Sequence, residues 1–340
     1  MKAIRFHEFG GPEVLRYEDV PDPVVRKDHV LVRIRACALN HLDIWCRKGV
    51  PGVNLPHING SDISGEIFEL GEYITDLKVG QRVLLVPMSF DNICPKCVAG
   101  QQNFCPQFTV MGYKNDGGNC DLIAVPRVNV VPIPDWLGYD EAASVPLVFL
   151  TAWHMLVGRA QIRPGQTVLV LGGSSGVGTA AIQICKMFNC TVITTAGDEH
   201  KLEKAKQLGA DYLIDHYKQS ISEEVKRITG KQGVDIVFEH VGRVTWTESM
   251  KALKPGGTVV TCGATTGPEA GIDLRFVYSR QLSMLGSFMG NMADFHEVMS
   301  HIFSGRLKPV VDRTFPLSET QAAHEYLEKS AMFGKVVLNP

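Results

Sequence analysis

Residues Val168 to Gly178 read V-L-V-L-G-G-S-S-G-V-G, and no other stretch limits the fold as tightly. Four branched apolar residues in succession suit a strand buried on both faces, as a parallel sheet requires. The glycines that follow suit a tight turn, and Thr179 to Phe188 has the composition of a helix. At such a helix start the first backbone N–H groups lack partners and the macrodipole favours negative charge, so a pyrophosphate fits there. Gly173, Ser174, Ser175, Gly176, Val177 and Gly178 are therefore candidate cofactor contacts. The spacing is G-x-S-x-x-G with an additional glycine at Gly176, whereas the dinucleotide fingerprint is G-x-G-x-x-G. Alone, the motif also fits an ordinary strand-to-helix turn.

The next strand-like run, Thr191 to Thr195, separates two cofactor choices. A chain that prefers NAD places a carboxylate roughly 20 residues after the glycines, where it meets the adenosine ribose. Here the sequence is Thr194-Thr195-Ala196-Gly197-Asp198, with Lys201 one turn into the following helix. Small and hydroxylated residues, Thr195 and Gly197 among them, leave room for a 2′-phosphate, and Lys201 offers a cation. The pattern points to NADPH. Asp198 reads as the N-cap of a helix from Glu199 to Leu208, with a ribose ligand as the alternative.

Beyond residue 150, strand-like runs (Thr167–Leu171, Thr191–Thr195, Tyr212–Ile214, Asp235–Glu239, Thr258–Cys262, Ser283–Phe288) alternate with helical ones. The alternation predicts an α/β fold with a doubly wound parallel sheet. The first 150 residues differ. Val30 to Ala36 alternates apolar and basic residues, and Pro21, Pro23, Pro51, Pro56 and Pro87 cut the lobe into short pieces. That predicts a small, partly barrel-like sheet rather than helices. The tail, with helices around 294–304 and 319–329 and a strand from Lys335 to Leu338, is expected to pack onto this lobe.

A formal charge of −2 gives no electrostatic reason to expect nucleic acid or an anionic membrane as partner. The N-terminus runs straight into an alternating pattern and no apolar run reaches membrane-spanning length, so a cytoplasmic protein is expected. Nine cysteines, an odd number scattered through apolar segments, suit reduced thiols. Three of them, Cys94, Cys97 and Cys105, follow Asp91 in a spacing that suits tetrahedral zinc. Asp91 as fourth ligand stands against Asp91 as a solvated loop acid.

On these residues, together with Val79-Gly80-Gln81-Arg82-Val83, Pro255-Gly256-Gly257 and the ending Gly334-Lys335-Val336-Val337-Leu338, the chain resembles the medium-chain dehydrogenase/reductase superfamily over its whole length. The resemblance implies a GroES-like catalytic domain from residues 1–150 and 291–340, with a structural-zinc lobe at about 88–107. It also implies a Rossmann domain at 151–290 for NADP(H), one structural zinc per chain, and a homodimer or homotetramer through the edge of the Rossmann sheet. Leu282 to Met289 is the nominated edge, an internal strand being the alternative.

The resemblance also exposes a departure. Where zinc alcohol dehydrogenases hold a catalytic metal with a cysteine, a histidine and a further cysteine or acid, the matching positions here are Asn40, Ser61 and Leu147. Leucine cannot ligate and the other two are poor zinc ligands. Leu42 replaces the proton-relaying hydroxyl. What remains resembles the zinc-free quinone, enone and enoyl-thioester reductases. In that branch Asn40 and Ser61 are candidates to donate to a substrate carbonyl, Thr151 to touch nicotinamide, and His41 and Lys335 to meet the cofactor phosphates. Asn40, Ser61, Thr151 and Lys335 each also read as a cap, turn or surface residue, and Asp62 reads as a satisfied loop acid, an ion held with His41 being the alternative. Met88, Phe90, Tyr113 and Trp153 are candidates for an apolar cleft, and the proton donor is left open between Tyr113 and solvent. Carboxylating relatives carry a glutamate where Lys114 stands, so carboxylation is not expected. The alternatives are an alcohol dehydrogenase or carbonyl reductase, and a non-enzymatic NADPH-binding protein.

Overall fold

The strand Thr167–Val170 lies inside a six-stranded parallel sheet in the computed structural model, which describes residues 1–340. The strand order is Tyr212–Asp215, Thr191–Ala196, Thr167–Val170, Val234–Glu239, Leu253–Thr261, Ser283–Gly286. Such an order, reversing at the first strand, is that of a doubly wound dinucleotide-binding sheet. Val168, Leu169 and Val170 are fully buried, as a strand covered on both faces demands. Helices Gly176–Met187, Glu199–Gln207, Ile221–Ile228 and Trp246–Ala252 connect the first five strands. Ser283–Gly286 pairs with Leu253–Thr261 alone and is the edge strand, not an internal one.

Two units divide the chain: Met1–Leu147 with Pro309–Pro340, and Val148–Lys308. The second boundary therefore falls at 308, beyond the expected 290. The helix Met292–Phe303 accounts for the difference, because it buries Phe295, Val298, Met299 and Ile302 and its Asp294 pairs with His154 at 2.7 Å.

In the first unit, a seven-stranded sheet runs Val311–Pro316, Lys335–Asn339, His29–Ala38, Asp62–Leu70, Arg82–Leu85, Val130–Pro132, with Leu122–Pro126 also pairing onto His29–Ala38. The tail thus completes the sheet of the first lobe, with Val337 opposite Ala38. The lobe also contains helices that proline-rich punctuation had argued against. His41–Lys48 forms because Asp43 reaches back to the Asn40 amide at 2.7 Å, while Gly49 closes the last turn at φ 98°, where a side chain would be strained. No helix is long and apolar enough to cross a membrane.

Candidate functional site

In the second unit, Ser175 builds the glycine turn. Its Oγ accepts the Gly178 N–H at 3.0 Å and donates to Gly172 O at 2.8 Å, so the helix starts at Gly176, earlier than the side-chain pattern suggests. A Cβ on Gly178 would stand 2.2 Å from Gly172 O, which makes glycine obligatory there. The N–H groups of Gly176 and Val177 find no acceptor within the protein. Two unpartnered amides at a helix N-terminus, on a turn stripped of side chains, fit a pyrophosphate.

Around this turn the structure redistributes the candidates. Thr195 is buried and accepts the Gly172 N–H at 3.0 Å through Oγ1, so it shapes the turn from beneath. Asp198 caps its helix by accepting the Lys201 N–H at 2.9 Å, and its carboxylate also lies 3.4 Å from Lys201 Nζ. Tyr217 and His216 close over Gly197, where a Cβ would meet the tyrosine ring at 2.6 Å. His240 Nε2 sits 2.9 Å from Leu171 O and 3.3 Å from Ser175 Oγ, bracing the turn. Sequence reasoning missed these three. Their signal was topological, since each follows a strand adjacent to one already assigned to the cofactor face.

In the first unit, three candidates form a buried cluster. Lys335 Nζ donates to Asn40 Oδ1 at 2.6 Å and to Asp62 Oδ2 at 2.8 Å. Asp62 Oδ2 also accepts from Asn40 Nδ2 at 3.0 Å, and its Oδ1 accepts the Leu147 N–H at 2.7 Å. The ion pair is sealed, with Lys335 4% and Asp62 0% exposed. Ser61 turns away and donates to Met111 O at 2.7 Å. Asp43 accepts from the Asn40 and Gly60 amides, tying the helix start to the Gly60-Ser61-Asp62 segment. Burial pushes the Asp43 carboxyl up to about 6, against the Asn40 N–H and the Lys335 charge. His41, half-buried, opens the helix with its ring 6.4 Å from that of Trp45.

The cysteine lobe brings Asp91, Cys94, Cys97 and Cys105 together, with one donor atom from each inside a 4.8 Å cluster. The turn is built for anionic donors. Asp91 accepts the Cys94 and Ile93 amides at 3.0 Å, and the Cys97 and Gln107 amides point at Cys94 and Cys105 sulfur. The Cys94 amide, foremost, holds the Asp91 carboxyl well below the usual range. Cys97 is pushed up to about 12, by burial first and then by Asp91 and the other two thiols. Three sulfurs and one carboxylate form a donor set that fits a tetrahedral divalent ion.

The apolar candidates separate. Trp153 belongs to the core of the second unit, 1% exposed with Phe188 and His301 against its ring, and does not line a cleft. Met88 is likewise fully buried, Phe90 is half-buried, and Tyr113 commits its hydroxyl to Pro51 O at 2.6 Å. Thr151 is a mid-helix residue whose hydroxyl meets only Met289 sulfur, at 3.8 Å.

Comparison with known proteins agrees with this architecture. Residues 26–135 match the family described as alcohol dehydrogenase GroES-like domain, and residues 176–304 match zinc-binding dehydrogenase. The chain is 32% identical to a crotonyl-CoA carboxylase/reductase of Cereibacter sphaeroides over 95% of this chain and 83% of that one. It is 28% identical to a human quinone oxidoreductase over 99% and 97% of the two chains. Among solved structures, an NAD-dependent alcohol dehydrogenase superposes with a TM-score of 0.97 at 40% identity, covering both chains completely.

Proposed function

The chain belongs to the medium-chain dehydrogenase/reductase superfamily and is an oxidoreductase with a nicotinamide cofactor; from that premise, we propose an NADPH-dependent reductase of quinones, enones or enoyl thioesters that uses no catalytic metal. The observation that carries this reading is the hydrogen-bonded knot of Asn40, Asp62 and Lys335, tied to the Leu147 amide. Positions that would supply metal ligands in an alcohol dehydrogenase are filled by Asn40, Ser61 and Leu147, the first and last joined through the Lys335–Asp62 pair. Such a knot offers a Lewis acid neither soft donors nor a free carboxylate.

When bound, NADPH would supply the hydride for reduction of an activated C=C or quinone, and water would supply the proton. The Gly176 and Val177 amides would hold its pyrophosphate. At the adenosine end, the missing carboxylate at Ala196 and the nearby Lys201 favour a 2′-phosphate over a bare ribose. Asp91, Cys94, Cys97 and Cys105 would hold one zinc, which would brace their own lobe and supply no chemistry to hydride transfer.

A second reading, an alcohol dehydrogenase, is favoured by the name of the solved structure at 40% identity. Steady-state turnover separates the two, using NADPH and NADH with a quinone, an enal and crotonyl thioester, and NADP⁺ and NAD⁺ with primary and secondary alcohols. The reductase reading expects NADPH oxidation by an activated alkene or quinone, with kcat/KM at least about tenfold above NADH, as loss of one charged contact implies. Alcohol oxidation as the faster reaction overturns it, and cofactor binding without turnover of any substrate indicates a non-enzymatic protein.

A further inference from the structure

The cysteine lobe sets one accessible sulfur beside two sheltered ones. Of the nine cysteines, seven are buried, and Cys94 and Cys262 are the two that reach the surface. At Cys262 burial, foremost, pushes the thiol up to about 12, with Glu239 adding to the effect, so its sulfur is a poor nucleophile. Cys94 stands in different surroundings. It opens the short helical turn Pro95–Val98, where its Sγ accepts the Cys97 N–H at 3.4 Å and its carbonyl accepts the Val98 N–H at 3.0 Å. Ile93 and Val98, at the two ends of that turn, project into solvent. The sulfurs of Cys97 and Cys105 lie within 4.8 Å of the Cys94 sulfur, while those two residues are only 7% and 6% exposed. Sulfurs this close need little movement to form an S–S bond of about 2.05 Å. The fourth donor, Asp91, cannot be oxidised. One disulfide therefore leaves one sulfur and one carboxylate, too few to hold a tetrahedral ion. The lobe also hangs from its own stem, Met88–Ser89 paired with Thr109–Val110, outside the seven-stranded sheet, so a change within it is local.

Resting on the zinc reading above, we propose that Cys94 and Cys97 form an oxidative modification site for hydrogen peroxide, and that the disulfide between them discharges the metal from the lobe. A sulfur that coordinates a divalent ion is a thiolate. The Cys94 thiolate attacks one peroxide oxygen, an S–O bond forms as the O–O bond breaks, and hydroxide leaves. The Cys97 thiolate then attacks the Cys94 sulfur, the S–S bond forms as the S–O bond breaks, and a second hydroxide leaves. The two sulfurs lose two electrons, the two peroxide oxygens gain them, and solvent protons turn both hydroxides into water. Cys97 is the resolving sulfur because it shares a turn with Cys94 and its amide already points at that sulfur, whereas Cys105 closes the separate turn Gln102–Phe104.

The test uses the full chain as purified, titrated with hydrogen peroxide while zinc release is read with a chromogenic chelator, remaining thiols are counted, and disulfides are mapped by peptide mass spectrometry. About one zinc is expected to leave for every two thiols lost, with Cys94 joined to Cys97 and Cys105 still reduced. Reduction by a dithiol with zinc added back is expected to reverse the change. Cys105→His, which keeps four donors and leaves the C-x-x-C pair intact, is expected to release zinc through the same disulfide. Oxidation that falls first on Cys262, or a disulfide that uses Cys105, overturns the assignment, as does zinc retained after Cys94 and Cys97 have joined. Protein that binds no zinc before oxidation sinks the zinc reading instead, and the disulfide map of that metal-free chain then decides the modification site by itself.

Discussion

Asp62 shows how little a residue's chemistry can be read from its neighbours in sequence. It follows Ser61, whose hydroxyl serves a local backbone carbonyl, yet its own carboxylate gathers partners at Asn40, Leu147 and Lys335. Removing one member of a buried ion pair leaves the other uncompensated, whereas removing both together is often nearly neutral. Asp62→Asn is accordingly expected to cost about 3–5 kcal/mol of stability, while Lys335→Met/Asp62→Asn stays within about 1 kcal/mol of the unmodified protein in urea unfolding. Equal midpoints for Asp62→Asn and the unmodified protein would contradict the pairing. Asn40, Ser61 and Lys335 were each identifiable as polar residues at telling positions. Their pairing was not, because Lys335 reaches Asn40 across 295 residues and Asp62 across 273. The sequence therefore led to Asn40 and Ser61 as donors and to Lys335 as a phosphate contact, and left Asp62 as a loop acid.

At the scale of elements, the helix His41–Lys48 is anchored by a buried cation of its own. Arg47 is fully buried, 2.6 Å from Glu328 and 3.3 Å from His324 on the helix Thr320–Glu328, with Lys48 also on Glu328. Burial, reinforced by the Arg47 charge, pushes His324 down to about 3. A histidine depressed in the folded state contributes its full stability above the unfolded value near 6.5, and that stability is lost as pH falls from there toward 3. Between pH 6.5 and pH 5 the unmodified protein should lose about 2 kcal/mol relative to His324→Asn, measured by urea unfolding at each pH. Asp43 titrates in the opposite sense, but it is common to both proteins and cancels. A pH-independent difference would mean that His324 takes up its proton over the same pH range folded and unfolded. The helices of this lobe were hidden because His41–Lys48 is only eight residues long and depends on Asp43 and Gly49 at its ends. In the second unit, continuous apolar runs and helical spacing revealed most strands and helices to within a few residues, though the short helix Leu274–Ser279 was missed and the strand Leu253–Thr261 begins five residues before the expected Thr258. Three residues bracing the cofactor turn and its neighbourhood, His216, Tyr217 and His240, escaped because their proximity follows from strand order alone.

For the molecule as a whole, chain order assigns the work. The first unit is closed by the tail, whose last strand, Lys335–Asn339, joins the sheet beside His29–Ala38 and begins with the lysine that completes the buried knot. The second unit, inserted between, carries the glycine turn. The four-donor cluster Asp91–Cys105 and the hydrogen-bonded knot at Asn40–Asp62–Lys335 are thus separate features of the same unit, and on the proposed reading only the first would take zinc. Zinc content, measured on protein purified without added metal and followed through chelation alongside turnover, bears directly on hydride chemistry without a catalytic metal. About one zinc per chain is expected, absent from a Cys94→Ser/Cys97→Ser variant, with alkene or quinone reduction unaffected by the chelator for as long as the protein stays folded. About two zincs per chain, with alcohol turnover that the chelator abolishes in folded protein, would contradict it and restore an alcohol dehydrogenase.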